Sequence, residues 1–145
     1  MKSYTDLEQS KKLAEILPHE SADMVYFGIH QGMDGKYYLS GTNTEEDVVP
    51  IYKKLCTKVF AKTTASDVIN QLPCWSLAAL LGVLPKKYYP IKNHETDLIL
   101  GKPKDKWCAL YWDTTGMQDG EQTLADNPVD VCYEMIIKLH ELNLL

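Results

Sequence analysis

The chain has 145 residues, of which 45% are hydrophobic and 24% are charged, and its formal net charge is −5. These values are close to globular averages, and they exclude collagen-like, coiled-coil and disordered classes. The length fits one ordinary domain, so we expect a single globular domain over residues 1–145. The acidic balance argues against a general nucleic-acid binder, which requires a concentrated positive face.

The first third of the chain predicts one helix and one hairpin. Thr5 and Glu8 are spaced as in a capping box and precede an apolar stripe, which predicts a helix from Asp6 to Leu17. Two β-prone runs follow, Met24–His30 and Lys36–Ser40. The five residues between them include two glycines, which is typical of a hairpin turn.

The middle of the chain carries the most apolar segment. Residues 51–60 match helical spacing better than alternation, but both helix and strand stay open there. Pro73–Leu84 is apolar on nearly every side, which predicts a buried central helix that begins at Pro73 and is ended by Pro85.

The last third predicts a second hairpin, a loop and a helix. Thr96–Leu100 and Lys106–Asp113 form the hairpin, and Thr114–Thr123 is expected to be a polar loop. The final stretch, Asn127–Leu145, predicts an amphipathic helix that starts at Pro128. Its apolar side consists of Cys132, Met135, Ile136, Leu139 and Leu142.

Together these elements indicate the α+β class. We expect one antiparallel sheet of about four strands, packed with three main helices. No stretch approaches the ~20 apolar residues that cross a bilayer, so we expect no membrane segment.

Four cysteines are spread along the chain without a close pair, at positions Cys56, Cys74, Cys108 and Cys132. Zinc sites and thioredoxin-like centres use close pairs, so we expect buried free thiols in a reducing compartment. This interpretation places the protein in the cytoplasm.

Three sequence blocks resemble a known group of sequences. They are LEQSKKLAEILPHESADM (7–24), LPCWSLAALLGVLP (72–85) and NPVDVCYEMIIKLHELNLL (127–145). Together they resemble a family of small hypothetical proteins of gut bacteria, often associated with prophages and other mobile elements. The family carries no established activity, so the resemblance implies a genomic setting and transfers no catalytic residue.

One sequence feature supports an enzyme hypothesis. Cys74 follows Pro73 at the predicted helix start, where the helix dipole would lower the pKa of the thiol. The Cys-Trp pair also resembles the nucleophile turn of papain-like cysteine hydrolases, and His94 is the available base. The surrounding Gly and Ser signature of those enzymes is absent, so a buried structural cysteine is the default interpretation.

Other candidate chemistry is scattered. The possible metal ligands do not share a helix face at ligand spacing, so we predict no metal site and no cofactor. These residues are His19, Glu20, Asp23, His30, His94, His140 and Glu141. The lysines from Lys53 to Lys62 leave weak nucleic-acid binding as a further alternative, although such groups are usually a solvated surface.

Aromatic residues give the leading functional hypothesis. They cluster near a second group of lysines, and rigid aromatic side chains beside cations are favoured at protein interfaces. The predicted binding residues are Tyr88, Tyr89, Trp107, Tyr111 and Trp112. The same residues would also suit a core, so both placements stay open. We therefore expect a non-enzymatic accessory protein of a mobile element that binds a protein partner, with homo-oligomerisation as one possibility.

Overall fold

The computed structural model describes residues 1–27, 29–31, 33, 37–39, 49–55, 71–91, 94–113 and 119–145. Helices lie at α1 (Leu7–Ile16), α2 (Leu77–Val83) and α3 (Pro128–Glu141), and a 3₁₀ turn lies at His19–Ser21. The strands are β1 (Met24–Phe27), β2 (Ile29–Gln31), β3 (Tyr37–Leu39), β4 (Ile51–Tyr52), β5 (Gln71–Cys74), β6 (Lys87–Ile91), β7 (His94–Gly101), β8 (Trp107–Asp113) and β9 (Asp119–Ala125).

The predicted α+β class is confirmed, and the described strand pairs are antiparallel. The strands belong to a sheet of order β4-β1-β5, a β2-β3 pair and a four-stranded sheet of order β6-β7-β8-β9. The chain divides into two compact units. We call Thr5–Ser76 the N-terminal unit, and Met1–Tyr4 together with Leu77–Leu145 the C-terminal unit. The single-domain expectation stays a prediction.

Helix α1 of the N-terminal unit agrees with the sequence except in its cap. Asp6 is the N-cap: its side chain accepts a hydrogen bond from the Gln9 backbone N–H at 2.9 Å. The Gln9 side chain in turn accepts one from the Asp6 N–H at 3.3 Å. The predicted box of Thr5 and Glu8 is therefore wrong by one position, because Asp and Gln satisfy the same reciprocal geometry. Thr5 is buried instead.

The start of the predicted central helix is wrong. Residues 71–74 form strand β5, in which Pro73 lies opposite Val25 and Cys74 opposite Met24. Strand β5 is at the edge of its sheet, where a proline is tolerated because the outer side needs no N–H donor. Helix α2 therefore begins only at Leu77. It is also not buried on every side, since Leu81 is 36% exposed while Leu80 is buried.

The first predicted hairpin is confirmed in part, as the β2–β3 pair, in which Ile29 lies opposite Leu39 and Gln31 opposite Tyr37. The predicted strand Met24–His30 is wrong as a single strand, because it is divided into β1 and β2 and only β2 belongs to the hairpin. Strand β1 is separate from this hairpin and lies between β4 and β5. For residues 51–60 the sequence left both helix and strand open. Ile51–Tyr52 is strand β4, and residues 56–60 lie outside the described residues.

The C-terminal unit contains the second predicted hairpin, confirmed as β7–β8 with Leu98 opposite Tyr111. The expected loop over Thr114–Thr123 is wrong from residue 119 onward, because Asp119–Ala125 is strand β9 and pairs with β8. Residues 114–118 lie outside the described residues.

Helix α3 starts at Pro128 as predicted, with Asn127 as N-cap accepting a hydrogen bond from the Asp130 N–H at 2.9 Å. It ends at Glu141, so Leu142 is not part of the buried stripe and is exposed. The buried side chains of the helix are Pro128, Val129, Val131, Cys132, Met135, Ile136, Ile137 and Leu139.

Candidate interaction surface

The four-stranded sheet has an inner face that packs against helix α3. Ala109 and Tyr111 of β8 and Thr96 of β7 are fully buried on this face. The Tyr111 hydroxyl donates to the Pro85 carbonyl at 2.6 Å, and the Thr123 hydroxyl donates to the Val131 carbonyl of α3 at 3.0 Å. This face is therefore the core of the C-terminal unit.

The opposite face of this sheet, which we call the outer face, exposes large apolar side chains. Alternation along each strand directs Ile99, Leu110, Trp112 and Leu124 away from α3. The exposed fractions are 47% for Ile99, 41% for Trp112 and 57% for Leu124. These residues come from three adjacent strands, so they form one surface.

Strand register sets the arrangement of the outer face. Ile99 lies opposite Leu110, and Leu124 lies opposite Cys108. The Cys108 side chain is buried among its neighbours, and its sulfur accepts a hydrogen bond from the Gln122 amide at 3.3 Å. Trp112 lies opposite Asp97 on the β7 side. The apolar area therefore follows β8 from Trp112 to Cys108, with Ile99 of β7 and Leu124 of β9 on either side of it.

Two exposed ion pairs flank this apolar area. Lys87 Nζ lies 3.8 Å from Asp97 Oδ1, at the β6–β7 side beside Trp112. Lys106 Nζ lies 3.3 Å from Asp126 Oδ1, at the other end of the β8–β9 pair beyond Leu124. Each pair is solvated, so it adds little to stability and mainly sets the charge pattern of the surface.

The five aromatic residues predicted as a binding cluster do not share one environment. Tyr111 lies in the core, Trp107 is half-buried, and Trp112 is exposed on the outer face. Tyr88 and Tyr89 lie on strand β6, and their side chains fall outside the described residues. Ile99 and Leu124 are not among the predicted binding residues, although alternation along Thr96–Leu100 indicates that Ile99 lies on the opposite face from Thr96.

Cys74 does not have the environment that the hydrolase hypothesis requires. It lies on strand β5, three residues before α2 begins at Leu77, rather than at the predicted helix start. Its side chain is fully buried, and burial raises the pKa of the thiol above its ordinary value of 9.0. The thiol donates to the Thr5 carbonyl at 3.4 Å. His94 is on strand β7, and its side chain lies outside the described residues.

A buried polar cluster surrounds Cys74 in the N-terminal unit. The Tyr26 hydroxyl donates to the Thr5 carbonyl at 2.8 Å, and the Trp75 backbone N–H donates to the Thr5 hydroxyl at 3.1 Å. The hydroxyls of Thr5 and Ser10 are 2.7 Å apart. Each of these groups has a hydrogen-bond partner. The cluster therefore connects the chain before α1 to strand β5 and has the satisfied hydrogen bonds of a structural core.

A second polar cluster anchors the end of this unit. Both Asp23 carboxylate oxygens accept hydrogen bonds from Ser76, one from its N–H at 2.9 Å and one from its hydroxyl at 2.6 Å. The Trp75 indole N–H donates to the Ser21 hydroxyl at 3.0 Å. These contacts fix Trp75, which is fully buried.

The lysines considered for nucleic-acid binding are described only in part. Lys53 donates to the His19 carbonyl at 2.6 Å, and Lys54 lies over the Tyr52 ring at 5.4 Å from its centre. Lys58 and Lys62 lie outside the described residues.

Within the described ranges, no three His, Cys, Asp or Glu side chains come together as a metal site would require. Across the same part of the chain, none of the helices is long and apolar enough to cross a membrane. Comparison of the chain with protein-family models, with curated proteins and with solved structures gave no match.

Proposed function

We propose that this protein acts without catalysis, as a protein-interaction protein that binds its partner through the outer face. The observation that carries the proposal is the exposure of Ile99, Trp112 and Leu124 on one face of a sheet whose other face forms a core. A sheet face open to water is usually polar, so large apolar side chains there indicate a surface that is covered during function.

The chemistry of the outer face is suited to a protein partner. Trp112 offers a large rigid side chain that loses little conformational entropy on binding, and such residues dominate the free energy of protein association. The flanking ion pairs, Lys87–Asp97 and Lys106–Asp126, correspond to the polar rim of an interface.

The setting of this function is a separate part of the proposal. An accessory role in a mobile element rests on the resemblance of the three sequence blocks, and it indicates the host in which partners should be sought. A cytoplasmic location is supported by three buried free thiols, at Cys74, Cys108 and Cys132.

Affinity capture with Trp112→Ser tests the proposal. We expect the wild-type chain to bind a partner, which is either another protein of its host or a second copy of itself, and the variant to bind it at least tenfold more weakly. The control is Leu142→Ser, which removes a similarly exposed leucine outside the sheet. Far-UV circular dichroism and the melting temperature verify that both variants fold.

Two results would refute the proposed function. One is capture of the same partner at the same affinity by the wild type, Trp112→Ser and the double variant Ile99→Ser/Leu124→Ser. The other is a wild-type chain that remains monomeric and captures nothing specific from its host.

A further inference from the structure

We propose that the occupant of the outer face is a second copy of this chain, so that the protein forms a two-fold symmetric dimer through this sheet. This inference rests on the proposed function, because it identifies the partner of the same surface. The arrangement of charge around the apolar area supports a second copy as the partner.

The flanking charges are self-complementary. Lys87–Asp97 and Lys106–Asp126 lie at opposite ends of the apolar area, and each contains one positive and one negative group. A two-fold axis in the plane of the interface that runs along the line joining the two ion pairs, or at right angles to it, places an ion pair of one copy over an ion pair of the other. Each lysine can then face an aspartate of the second copy, as an isologous interface requires.

The net negative charge of the whole chain makes the equal number of positive and negative charges in these two ion pairs informative. The formal net charge is −5, so two copies repel each other over most approaches. The two ion pairs that flank the apolar area carry two positive and two negative charges, so they add no net repulsion between two copies there. A surface that binds a strongly basic or strongly acidic partner carries charges of one sign. The ion pairs beside the outer face present both signs, which favours a partner of mixed charge such as a second copy.

The size of the surface predicts a weak dimer. Four strands of five to eight residues, spaced about 4.8 Å apart, cover roughly 400 to 500 Å². Two such faces bury close to the lower limit of about 1,000 Å² expected for a specific interface. We therefore expect dissociation in the micromolar range, with Trp112 contributing most to affinity.

Charge reversal with mixing tests this inference. Asp97→Lys gives the face an excess of positive charge, and Lys87→Asp gives it an excess of negative charge. Both positions are about half exposed, and far-UV circular dichroism verifies that both variants fold. In sedimentation velocity we expect the wild type to dimerise in the micromolar range and each variant alone to associate at least tenfold more weakly. An equimolar mixture should form dimers again.

The control is Lys102→Asp, which reverses an exposed charge in the turn before β8 and should dimerise like the wild type. A mixture that stays monomeric would overturn the inference, as would a wild-type chain that is monomeric up to several hundred micromolar. If that monomer loses a host partner on Trp112→Ser, only the second-copy inference fails. If a dimer forms and its dissociation constant is unchanged by Trp112→Ser and by both charge reversals, the inference and the proposed function fail together.

Discussion

Burial determines what the cysteines of this chain can do. Cys74, Cys108 and Cys132 are free and buried, as the sequence predicted, and Cys56 lies outside the described residues. Burial raises the pKa of the thiols of Cys74 and Cys132, because an ionised sulfur loses its hydration there. Both are therefore neutral near pH 7 and act as small apolar side chains.

Cys132 gives a prediction for the pH dependence of stability. Burial raises the pKa of its thiol from 9.0 to about 11. The unfolded chain releases this proton near pH 9, whereas the folded chain keeps it until about pH 11. The contribution to the free energy of unfolding is therefore complete below pH 9 and falls by at most about 2 to 3 kcal/mol as the pH rises to 11.

Urea unfolding at several pH values between 8 and 11 checks this, with Cys132→Ala as the control that lacks the thiol. We expect the wild type to lose stability more steeply than the variant over this interval, so that the difference between them shrinks. Parallel curves would contradict the prediction, because they would mean that unfolding does not change the ionisation of Cys132.

Thr5 shows a limit of sequence reasoning at the scale of single residues. Its type and its distance from Glu8 are typical of an N-cap, and Asp6 beside it is equally suitable. Burial decides between them, since the Thr5 hydroxyl has partners in Ser10 and in the Trp75 backbone. Trp75 is 70 positions away, so no local pattern contains this information.

At the scale of elements, local signals predicted the start of α3 correctly, but they misplaced the start of α2 and missed several strands. The start of α3 depends on Asn127 and Pro128, which act within one turn. Strands β5 and β9 were missed because they are defined by pairing with β1 and β8. Strand β5 contains a proline, so its sequence resembles a helix start. Strand β9 contains a glycine and several polar residues, so its sequence resembles a loop.

Gly120 tests the assignment of strand β9. The β8–β9 register shifts between Leu110 and Trp112, and a Cβ at Gly120 would overlap the Tyr111 carbonyl and approach the Tyr111 Cβ to 2.8 Å. Tyr111 is fully buried and is held by its hydrogen bond to Pro85, so it cannot move away. We expect Gly120→Ala to lower the free energy of unfolding by about 2 to 4 kcal/mol.

The matched control for this substitution is Gly101→Ala, in the same sheet, where an added Cβ meets nothing within 4 Å. We expect it to change the free energy of unfolding by less than about 1 kcal/mol. Denaturant unfolding of the two variants gives the comparison. Equal stabilities would show that β9 does not pack against Tyr111 as described.

At the scale of the whole molecule, the two units are connected unusually. The N-terminal unit is inserted between Tyr4 and Leu77 of the C-terminal unit. Met1–Tyr4 is held in the C-terminal unit by the ion pair of Lys2 with Asp130 at 2.7 Å and by the Leu77 N–H, which donates to the Ser3 carbonyl at 3.3 Å. Within the N-terminal unit, the Thr5 N–H donates to the Trp75 carbonyl at 3.0 Å, so the folded unit holds its own two ends together. This lowers the entropy cost of closing the loop between Tyr4 and Leu77 when the C-terminal unit folds.

This connection predicts that both units unfold in one cooperative transition, as the single-domain expectation requires. Each unit contains about half of the chain, and a domain of that size is only marginally stable alone. In the double variant Trp107→Phe/Trp112→Phe, fluorescence reports only Trp75 of the N-terminal unit, whereas far-UV circular dichroism reports both units. At low protein concentration we expect the two signals to have the same urea midpoint, because loss of the inserted unit lengthens the loop that the C-terminal unit must close. Separate midpoints would show two independently folding units, and the single-domain prediction would then be wrong.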